Sequence, residues 1–288
     1  MNYVIFDIEW NPVFLKKSGY HFNEIIEIGA IKADSNLNII GKFSEFINMS
    51  AGEELTKKIK AMTKIKEDSL NKADNFVEVF NKFRDFCKDS ILASWGSMDI
   101  LIIIRNLKYH FNKYRIDFLK KYIDLQIYCK ERLKYIEHDQ LALSSALEML
   151  DIREKNKHRA FCDSMAAFEC FKALFNHNSV EKYIEDANTR NFYGKLMTKT
   201  RSICNLKNPL IDKSKMWMMC NKCNMKAKRV SKWKRVNKSY IASFSCRNCG
   251  NNFKGRISFK LKFNEVIVHR KALNKENVKS TNNTASKK

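Results

Sequence analysis

The sequence predicts an α/β protein in which a mixed β-sheet flanked by helices is followed by a small, cysteine-bearing β domain. Three strand-like segments occur in succession near the start, and helical and strand-like segments alternate after them, which is typical of a mixed sheet. Two Cys-x-x-Cys pairs occur later, in a stretch rich in aromatic and β-branched residues. The chain also divides by charge, because residues 189–288 carry all of the formal net charge of +23.

The individual elements follow from apolar spacing. Short apolar runs rich in β-branched residues predict strands over residues 3–8, 24–33, 39–47 and 91–95, with a brief apolar segment at 122–125. Apolar residues that recur every three or four positions predict helices over residues 74–87, 99–114, 141–150 and 161–175.

Composition predicts four regions along the chain. A large α/β domain precedes a polar helical connector, a basic region with the cysteine pairs, and a tail almost without apolar residues that we expect to be disordered, and residues 1–188 together carry no net charge. A general lysine bias would spread the positive charge over the whole chain, so its confinement indicates a polyanion-binding region. The predicted boundaries are 1–178, 179–215, 216–270 and 271–288.

Three acidic positions stand out in the first region. Asp7 and Glu9 are two apart in a predicted strand, which places both carboxylates on one face, where a divalent cation such as Mg²⁺ or Mn²⁺ would offset their charge. The alternative is a solvated strand edge. Asp99 follows a strand and a turn at Gly96, at the start of a predicted helix. The alternative there is an acid whose only role is a favourable interaction with the helix dipole.

His158 and Asp163 form a further pair of candidate residues. Five positions on an ideal helix differ by about 140°, so the two side chains would not share a helix face. We therefore expect His158 to lie in the loop before the helix and to reach the site that Asp163 faces. A helix cap or a surface histidine is the alternative.

Together these motifs resemble the DEDDh, or DnaQ-like, 3′–5′ exonuclease superfamily. The Trp-Gly form of the second motif is closest to Eri-like and KapD-like exonucleases, and the resemblance covers about residues 1–176. It is carried by FDIE, SWGSMD and HRAFCD at residues 6–9, 94–99 and 158–163, and by EIIEIGA and LALSSAL at 24–30 and 141–147.

The resemblance implies an RNase H-like fold and hydrolysis of phosphodiester bonds with two Mg²⁺ or Mn²⁺ ions. By this resemblance, Asp7 bridges both ions, and Glu9 and Asp163 complete the site of the ion that binds the attacking water. Asp99 supports the second ion, partly through water. His158 is implied as the general base that removes a proton from that water.

The resemblance also suggests substrate contacts. Many relatives have threonine directly after the first motif, where this chain has Trp10, so the contact with the terminal sugar differs here. Thr63 and Ile65 occupy the place of an element that lies beside the terminal base in relatives.

The two cysteine pairs predict a structural Zn²⁺ site. Cys220 and Cys223 are separated from Cys246 and Cys249 by a spacer of hairpin length, and four thiolates fill a tetrahedral coordination sphere. Disulfides and a redox pair are the alternatives. We expect a zinc ribbon that depends on the metal to fold.

Basic and aromatic residues alternate between the two cysteine pairs. Cations neutralise phosphates and aromatic rings stack on bases, which indicates nucleic-acid contact, although the rings could instead form the small core of the ribbon. The candidate contacts are Lys232, Trp233, Lys234 and Arg235.

The sequence therefore predicts a metal-dependent exonuclease that acts on nucleic acid with a free 3′ end, with single-stranded RNA slightly favoured over DNA. The alternative is a binding or regulatory module with weak nuclease activity, whose ribbon binds structured RNA or a protein partner. We find no secretory signal pattern and no apolar run of membrane-spanning length, so we expect a cytoplasmic protein without membrane association.

Overall fold

The structure is a computed structural model that divides the chain into two compact units. The first unit comprises Met1–Tyr135 and Gln140–Met197, and the second begins at Thr198. Within the described part of the chain, none of the helices combines the length and the apolar character needed to cross a bilayer. The residues described are 1–15, 20–136, 140–153, 158–198, 201–262 and 265–273.

The first unit consists of six strands with helices between and after them. Its strands are β1 (Asn2–Leu15), β2 (Tyr20–Ala33), β3 (Ile39–Phe46), β4 (Ser90–Ser94), β5 (Lys121–Asp124) and β6 (Glu185–Asp186). Its helices are α1 (Lys57–Thr63), α2 (Glu67–Asn71), α3 (Phe76–Phe86), α4 (Met98–Phe111), α5 (Leu125–Arg132), α6 (Leu143–Met149), α7 (Ala160–Leu174), α8 (His177–Val180) and α9 (Arg190–Met197), with a 3₁₀ turn at Glu181–Tyr183.

The six strands form one mixed sheet in the order β3-β2-β1-β4-β5-β6. The first three strands are antiparallel, β4 and β5 run parallel to β1, and β6 is antiparallel to β5. The predicted mixed α/β architecture is therefore confirmed. Strand β1 lies at the centre of the sheet, which makes it a fixed position from which a functional side chain can project.

Both faces of the sheet are covered by apolar packing. Alternate residues of β1 face opposite sides, so that Val4 and Phe6 pack in a core with α3 and α4, whereas Tyr3 and Ile5 pack in a core with α5 and α7. This two-sided burial explains why β1 begins as a nearly continuous apolar run.

Strands β1 and β2 are longer than the sequence indicates, because each continues into a two-stranded extension. Their pairing shifts by one residue at a bulge between Glu9 and Trp10 and then continues to Leu15 opposite Tyr20. The predicted strand over residues 3–8 stops before this bulge, because the continuation of the ladder depends on pairing with the partner strand.

The expected connector at residues 179–215 is divided between the two units. Strand β6 pairs with β5, and Phe192 and Tyr193 of α9 are buried in the core of the first unit. Residues 201–203, in contrast, pair with a strand of the second unit. The polar composition of this segment concealed the few aromatic residues that anchor it.

The second unit is built from antiparallel strands. They are β7 (Arg201–Ile203), β8 (Met218–Met219), β9 (Lys226–Arg229), β10 (Lys234–Val236), β11 (Ser239–Ser245), β12 (Asn252–Lys262) and β13 (Glu265–Leu273), with a 3₁₀ turn at Lys213–Lys215. The main sheet has the order β13-β12-β11-β9-β8, while β10 pairs with β11 and β7 pairs with β12.

A small aromatic core holds the second unit together. Phe244 stacks on Phe253 with ring centroids 5.7 Å apart, and Ile257 and Phe259 are fully buried beside them.

The last strand, β13, ends at Leu273, so its final three residues belong to the sheet rather than to the expected disordered tail. The remainder of that tail, residues 274–288, lies outside the described residues.

Candidate functional site

Two of the predicted acids project from the central strand. Asp7 lies opposite Gly29 and Glu9 lies opposite Glu27 in the antiparallel pairing of β1 with β2. Asp7 is half-buried and Glu9 is buried. The two carboxylates therefore stand on the same face, just before the bulge in the pairing of β1 with β2.

Asp99 is brought to the same place by the turn between β4 and α4. Gly96 has a positive φ of 88°, a conformation that glycine adopts without strain. The hydroxyls of Ser94 and Tyr122 both donate to the Gly96 carbonyl, at 2.8 and 2.7 Å, and these two bonds stabilise the turn. Asp99 consequently begins α4 as a buried acid.

The third motif places His158 before α7 and Asp163 inside it. His158 has a positive φ of 62°, and its backbone N–H donates to the carboxylate of Asp163 over 3.1 Å. The helix itself begins at Ala160. The expectation that His158 lies in the loop before the helix is confirmed, and the left-handed backbone turns its exposed side chain toward the acids.

Gly29 allows α7 to approach the sheet closely. A Cβ at this position would lie 2.1 Å from the backbone nitrogen of Phe161, so only glycine fits without displacing the helix. Because Gly29 lies opposite Asp7, this contact sets the separation between the first and the third motif.

An ion pair fixes the same junction. The Arg159 guanidinium binds both carboxylate oxygens of Glu27, with nitrogen–oxygen distances of 2.9 to 3.2 Å. Glu27 is only 1% exposed, and the guanidinium also lies 5.2 Å from the centre of the Phe46 ring. Sequence reasoning missed both partners, which are 132 residues apart along the chain.

The clustered acids repel one another and are partly removed from water. Burial, followed by the charges of Asp99, Asp163 and Glu9, raises the pKa of Asp7 well above its usual range. Burial and the neighbouring acids Asp163 and Glu27 raise the pKa of Glu9 to about 8. Burial and the Asp124 charge likewise raise the pKa of Asp99 to about 8. Such a concentration of oxygen ligands fits hard divalent cations.

One cavity of about 650 Å³ joins the predicted catalytic residues. Ligand atoms of Glu9, His158 and Asp163 all lie within 4.8 Å of one another. Asp7, Asp99 and Trp10 also line this cavity, so the structure brings together residues from all three motifs.

Thr63 and Ile65 do not line this cavity. The Thr63 hydroxyl donates to the Ile59 carbonyl at 2.9 Å and accepts from the Ile65 N–H at 3.2 Å. Both residues are buried, and Ile65 belongs to a small apolar cluster. The placement does not support their prediction as substrate contacts. Helix α1, which ends at Thr63, instead presents Lys58, Ile59 and Met62 to the cavity.

Further cavity residues belong to the motif stretches but were not predicted as site residues. Met98 directly precedes Asp99, and Leu143 and Ser144 come from the first turn of α6. The second motif could have indicated Met98 by adjacency. The residues of α6 reach the cavity because the segment just before this helix is tied to Trp95, whose indole N–H donates to the Leu141 carbonyl at 2.9 Å.

The four predicted cysteines meet in the second unit. Their sulfur atoms all lie within 4.8 Å of one another, with Cys220 and Cys249 3.5 Å apart and Cys223 and Cys246 3.4 Å apart. These spacings are close to the ~3.8 Å between thiolates around tetrahedral zinc and much longer than a disulfide bond of ~2.05 Å. The cluster could therefore hold zinc.

Two equivalent turns present these sulfurs. The Asn224 N–H donates to the Cys220 carbonyl, and the Gly250 N–H donates to the Cys246 carbonyl, at 3.0 and 2.9 Å. Asn224 and Gly250 both have positive φ, 52° and 69°. Each Cys-x-x-Cys pair therefore ends in a left-handed residue suited to asparagine or glycine.

The candidate ribbon contacts differ in exposure. Lys232, Lys234 and Arg235 are exposed around the start of β10. Trp233 is half-buried, with its ring 5.7 Å from that of Phe244, and belongs to the edge of the ribbon core. The lysines and the arginine are thus available to a ligand, whereas much of the Trp233 ring serves packing.

Comparisons of sequence agree with this site. The family model described as Exonuclease (RNase T) matches residues 4–171. The chain is 30% identical over 190 residues to DNA polymerase III PolC-type of Clostridium perfringens, covering 66% of this chain and 12% of that protein. It is 26% identical over 156 residues to the probable 3′-5′ exonuclease KapD of Bacillus subtilis, covering 53% of this chain and 74% of KapD.

Solved structures with the same fold include nucleases. The nuclease domain of 3′hExo, a DEDDh family member bound to rAMP, aligns with a TM-score of 0.55 at 21% identity, covering 65% of this chain and 96% of that one. Escherichia coli exonuclease I in complex with a dT13 oligonucleotide aligns with a TM-score of 0.53 at 12% identity, covering 98% of this chain and 68% of that one.

The matched segment contains the acids and the histidine that line the cavity, and the sheet that carries them has the RNase H-like arrangement of these nucleases. The chain therefore belongs to the exonuclease family, and its first unit is a DEDDh-type 3′–5′ exonuclease domain.

Proposed function

We propose that this protein removes nucleotides from the 3′ end of single-stranded nucleic acid, with RNA preferred over DNA. The observation that carries the proposal is the single cavity in which Asp7, Glu9, Asp99 and Asp163 meet beside His158. Nucleic acid is the ligand of several nucleases with this fold, including a 3′-exonuclease described as recognising the stem-loop of histone mRNA. That comparison, together with the rAMP complex, favours RNA.

The four carboxylates fit two divalent cations, Mg²⁺ or Mn²⁺. When bound, such ions supply an activated water and stabilise the leaving oxygen of a phosphodiester. Asp7 is the candidate bridging ligand because it lies among the other acids, where burial and their charges raise its pKa well above its usual range. Glu9 and Asp163 are proposed as ligands of one ion and Asp99 as a ligand of the other.

The remaining residues of the site hold and move the reactants. His158, exposed at the cavity wall, accepts the proton of the attacking water, while the bond from its N–H to Asp163 fixes the loop. The Arg159–Glu27 pair keeps that loop on the sheet. Trp10 and Met62 line the cavity as apolar walls for the terminal nucleotide, and Lys58 places a positive charge there for a phosphate.

We further propose a division of labour between the units. The first unit, up to Met197, performs hydrolysis, and the second adds affinity through a zinc-stabilised ribbon. Exposed cations of the ribbon face few acids, since residues 189–288 contain three acidic side chains. Phosphate contacts from Lys232, Lys234 and Arg235 would bind nucleic acid without regard to sequence.

The proposal is tested by digestion of oligonucleotides labelled at the 5′ end. We expect a ladder of products that shortens from the 3′ end with Mg²⁺ or Mn²⁺, no products with EDTA, and faster digestion of single-stranded RNA than of DNA or duplexes. The control is Asp7→Asn, which keeps the shape of the side chain but removes its charge. Digestion by this variant at the normal rate, or release of the 5′ nucleotide first, would contradict the proposal.

A further inference from the structure

Beyond the acids, β1 and β2 continue as a two-stranded arm. The arm comprises residues 10–15 of β1 and 20–25 of β2, paired from Trp10 opposite Ile25 to Leu15 opposite Tyr20. It begins at the bulge after Glu9, so the catalytic strand and the arm are one continuous element.

Polar and aromatic contacts anchor the arm to the first unit. The Asn11 amide donates to the Glu54 carbonyl and accepts from the Thr56 N–H, and each of these two bonds is 3.0 Å long. The buried Phe22 ring stacks on Tyr109 with centroids 4.7 Å apart. The arm is therefore held in place as part of the nuclease unit.

One side of the arm carries an exposed row. Residues two apart on a strand share a face, so Trp10, Pro12 and Phe14 project on the same side. Trp10 and Pro12 line the catalytic cavity. Phe14 follows them with 53% of its surface exposed, and the exposed His21 ring lies beside it at 5.2 Å and an angle of 57°.

The length of this row matches a short stretch of nucleic acid. Four residue steps at ~3.4 Å each place Phe14 about 14 Å along the strand from Trp10. Stacked nucleotides repeat every ~3.4 Å per strand, so about four of them span the same distance. A strand whose terminal nucleotide lies beside Trp10 would therefore reach Phe14 with about the fifth nucleotide, counting the terminal nucleotide as the first.

We propose that Phe14 and His21 form a base-stacking subsite for unpaired nucleotides upstream of the one being removed. The proposal rests on the exonuclease function above and specifies its substrate class as a 3′ end with an unpaired tail of about five or more nucleotides. Aromatic rings stack on any base, so the subsite reads no sequence. Bases inside a duplex are already stacked on their neighbours and cannot offer a face to the pair.

Binding of short oligonucleotides tests this subsite. In the full chain carrying Asp7→Asn, which prevents digestion, fluorescence anisotropy measures Kd for single strands of two and of eight nucleotides. We expect Phe14→Ala to weaken binding of the longer strand by about 5- to 100-fold and to leave the dinucleotide unchanged. Phe14→Trp should restore binding, and Tyr114→Ala, which removes an exposed ring outside the cavity, should have no effect.

Abasic nucleotides locate the contact. An abasic site at about the fourth, fifth or sixth position from the 3′ end should weaken binding to the parent chain, and Phe14→Ala should abolish that dependence. Equal losses in both proteins at every position, or unchanged binding after Phe14→Ala, would overturn the subsite. These readouts measure binding alone, so failure of the wild-type chain to digest any 3′ end would instead refute the proposed function.

Discussion

His158 is the residue whose role can be separated most cleanly from metal binding and folding. Its side chain is exposed, and only its backbone N–H takes part in the bond to Asp163. We expect His158→Ala to lower kcat by about 10²- to 10⁴-fold, the usual contribution of a positioned base, because only the proton acceptor is lost. Single-turnover digestion would measure the rate of hydrolysis, and fluorescence anisotropy would measure substrate binding. A variant that loses binding but keeps its turnover would identify His158 as a substrate contact instead.

The raised pKa values of the acids predict a pH-dependent response to metal. Glu9 and Asp99 have a pKa of about 8 in the folded, metal-free protein, above the ordinary values of ~4. Between these limits the folded state holds more protons than the unfolded state, so stability falls as pH rises. A bound cation removes this penalty because it favours the ionised carboxylates.

We therefore expect Mg²⁺ or Mn²⁺ to raise Tm more at pH 8.5 than at pH 5.5. Thermal unfolding with metal and with EDTA at both pH values measures the difference, and Asp7→Asn serves as the control in which it shrinks. An equal metal-induced increase at both pH values would contradict the assignment of the acids as ligands.

At the scale of elements, the decisive contact is the one between β2 and α7. We expect Gly29→Ala to cost about 1–3 kcal/mol of folding free energy or more, because its Cβ would collide with the backbone of Phe161 rather than with a movable side chain. Activity should fall with it, since α7 carries Asp163. Chemical denaturation and kcat are the measurements.

Gly41→Ala provides a matched comparison on the neighbouring strand. A Cβ there would meet the Phe86 ring at 3.0 Å, and a ring can move where a backbone cannot. Equal losses of stability and activity in the two variants would show that the approach of α7 to the sheet is not the critical dimension.

The same junction shows how far sequence reasoning reached. The acids and His158 could be predicted because each motif is local and its residues are only a few positions apart. The Arg159–Glu27 pair and the clearance at Gly29 could not, because they depend on how a late helix packs on an early strand. Thr63 and Ile65 lie outside the cavity lining for a similar reason, since the side of α1 and of the turn after it that faces the cavity depends on how this segment packs against β2.

At the scale of the whole molecule, the second unit should govern affinity rather than chemistry. We expect truncation after Met197 to leave hydrolysis of very short oligonucleotides nearly unchanged and to raise KM on long ones. The cut belongs there because a longer fragment would keep residues 201–203 without their partner strand β12. Each lost phosphate contact should reduce the slope of log affinity against log salt by about 0.7 on single strands.

Zinc removal offers an independent route to the same result. Cys220→Ser with Cys246→Ser should unfold the ribbon and imitate the truncation, because a domain this small depends on its metal for stability. Parallel salt dependence and equal KM for full-length and altered chains would show that the ribbon does not touch nucleic acid. A protein partner would then be the better explanation of its exposed cations.

The separation of charge along the chain has a consequence for how digestion proceeds over time. Contacts to phosphates are the same at every step of a strand, so a ribbon that binds through them can exchange one phosphate for the next while the shortened end returns to the less basic nuclease unit. The full-length chain should therefore be processive and the truncated chain distributive. In a single-encounter experiment with excess unlabelled trap, the intact protein should shorten each bound strand by many nucleotides at low salt, and this run length should contract as salt rises.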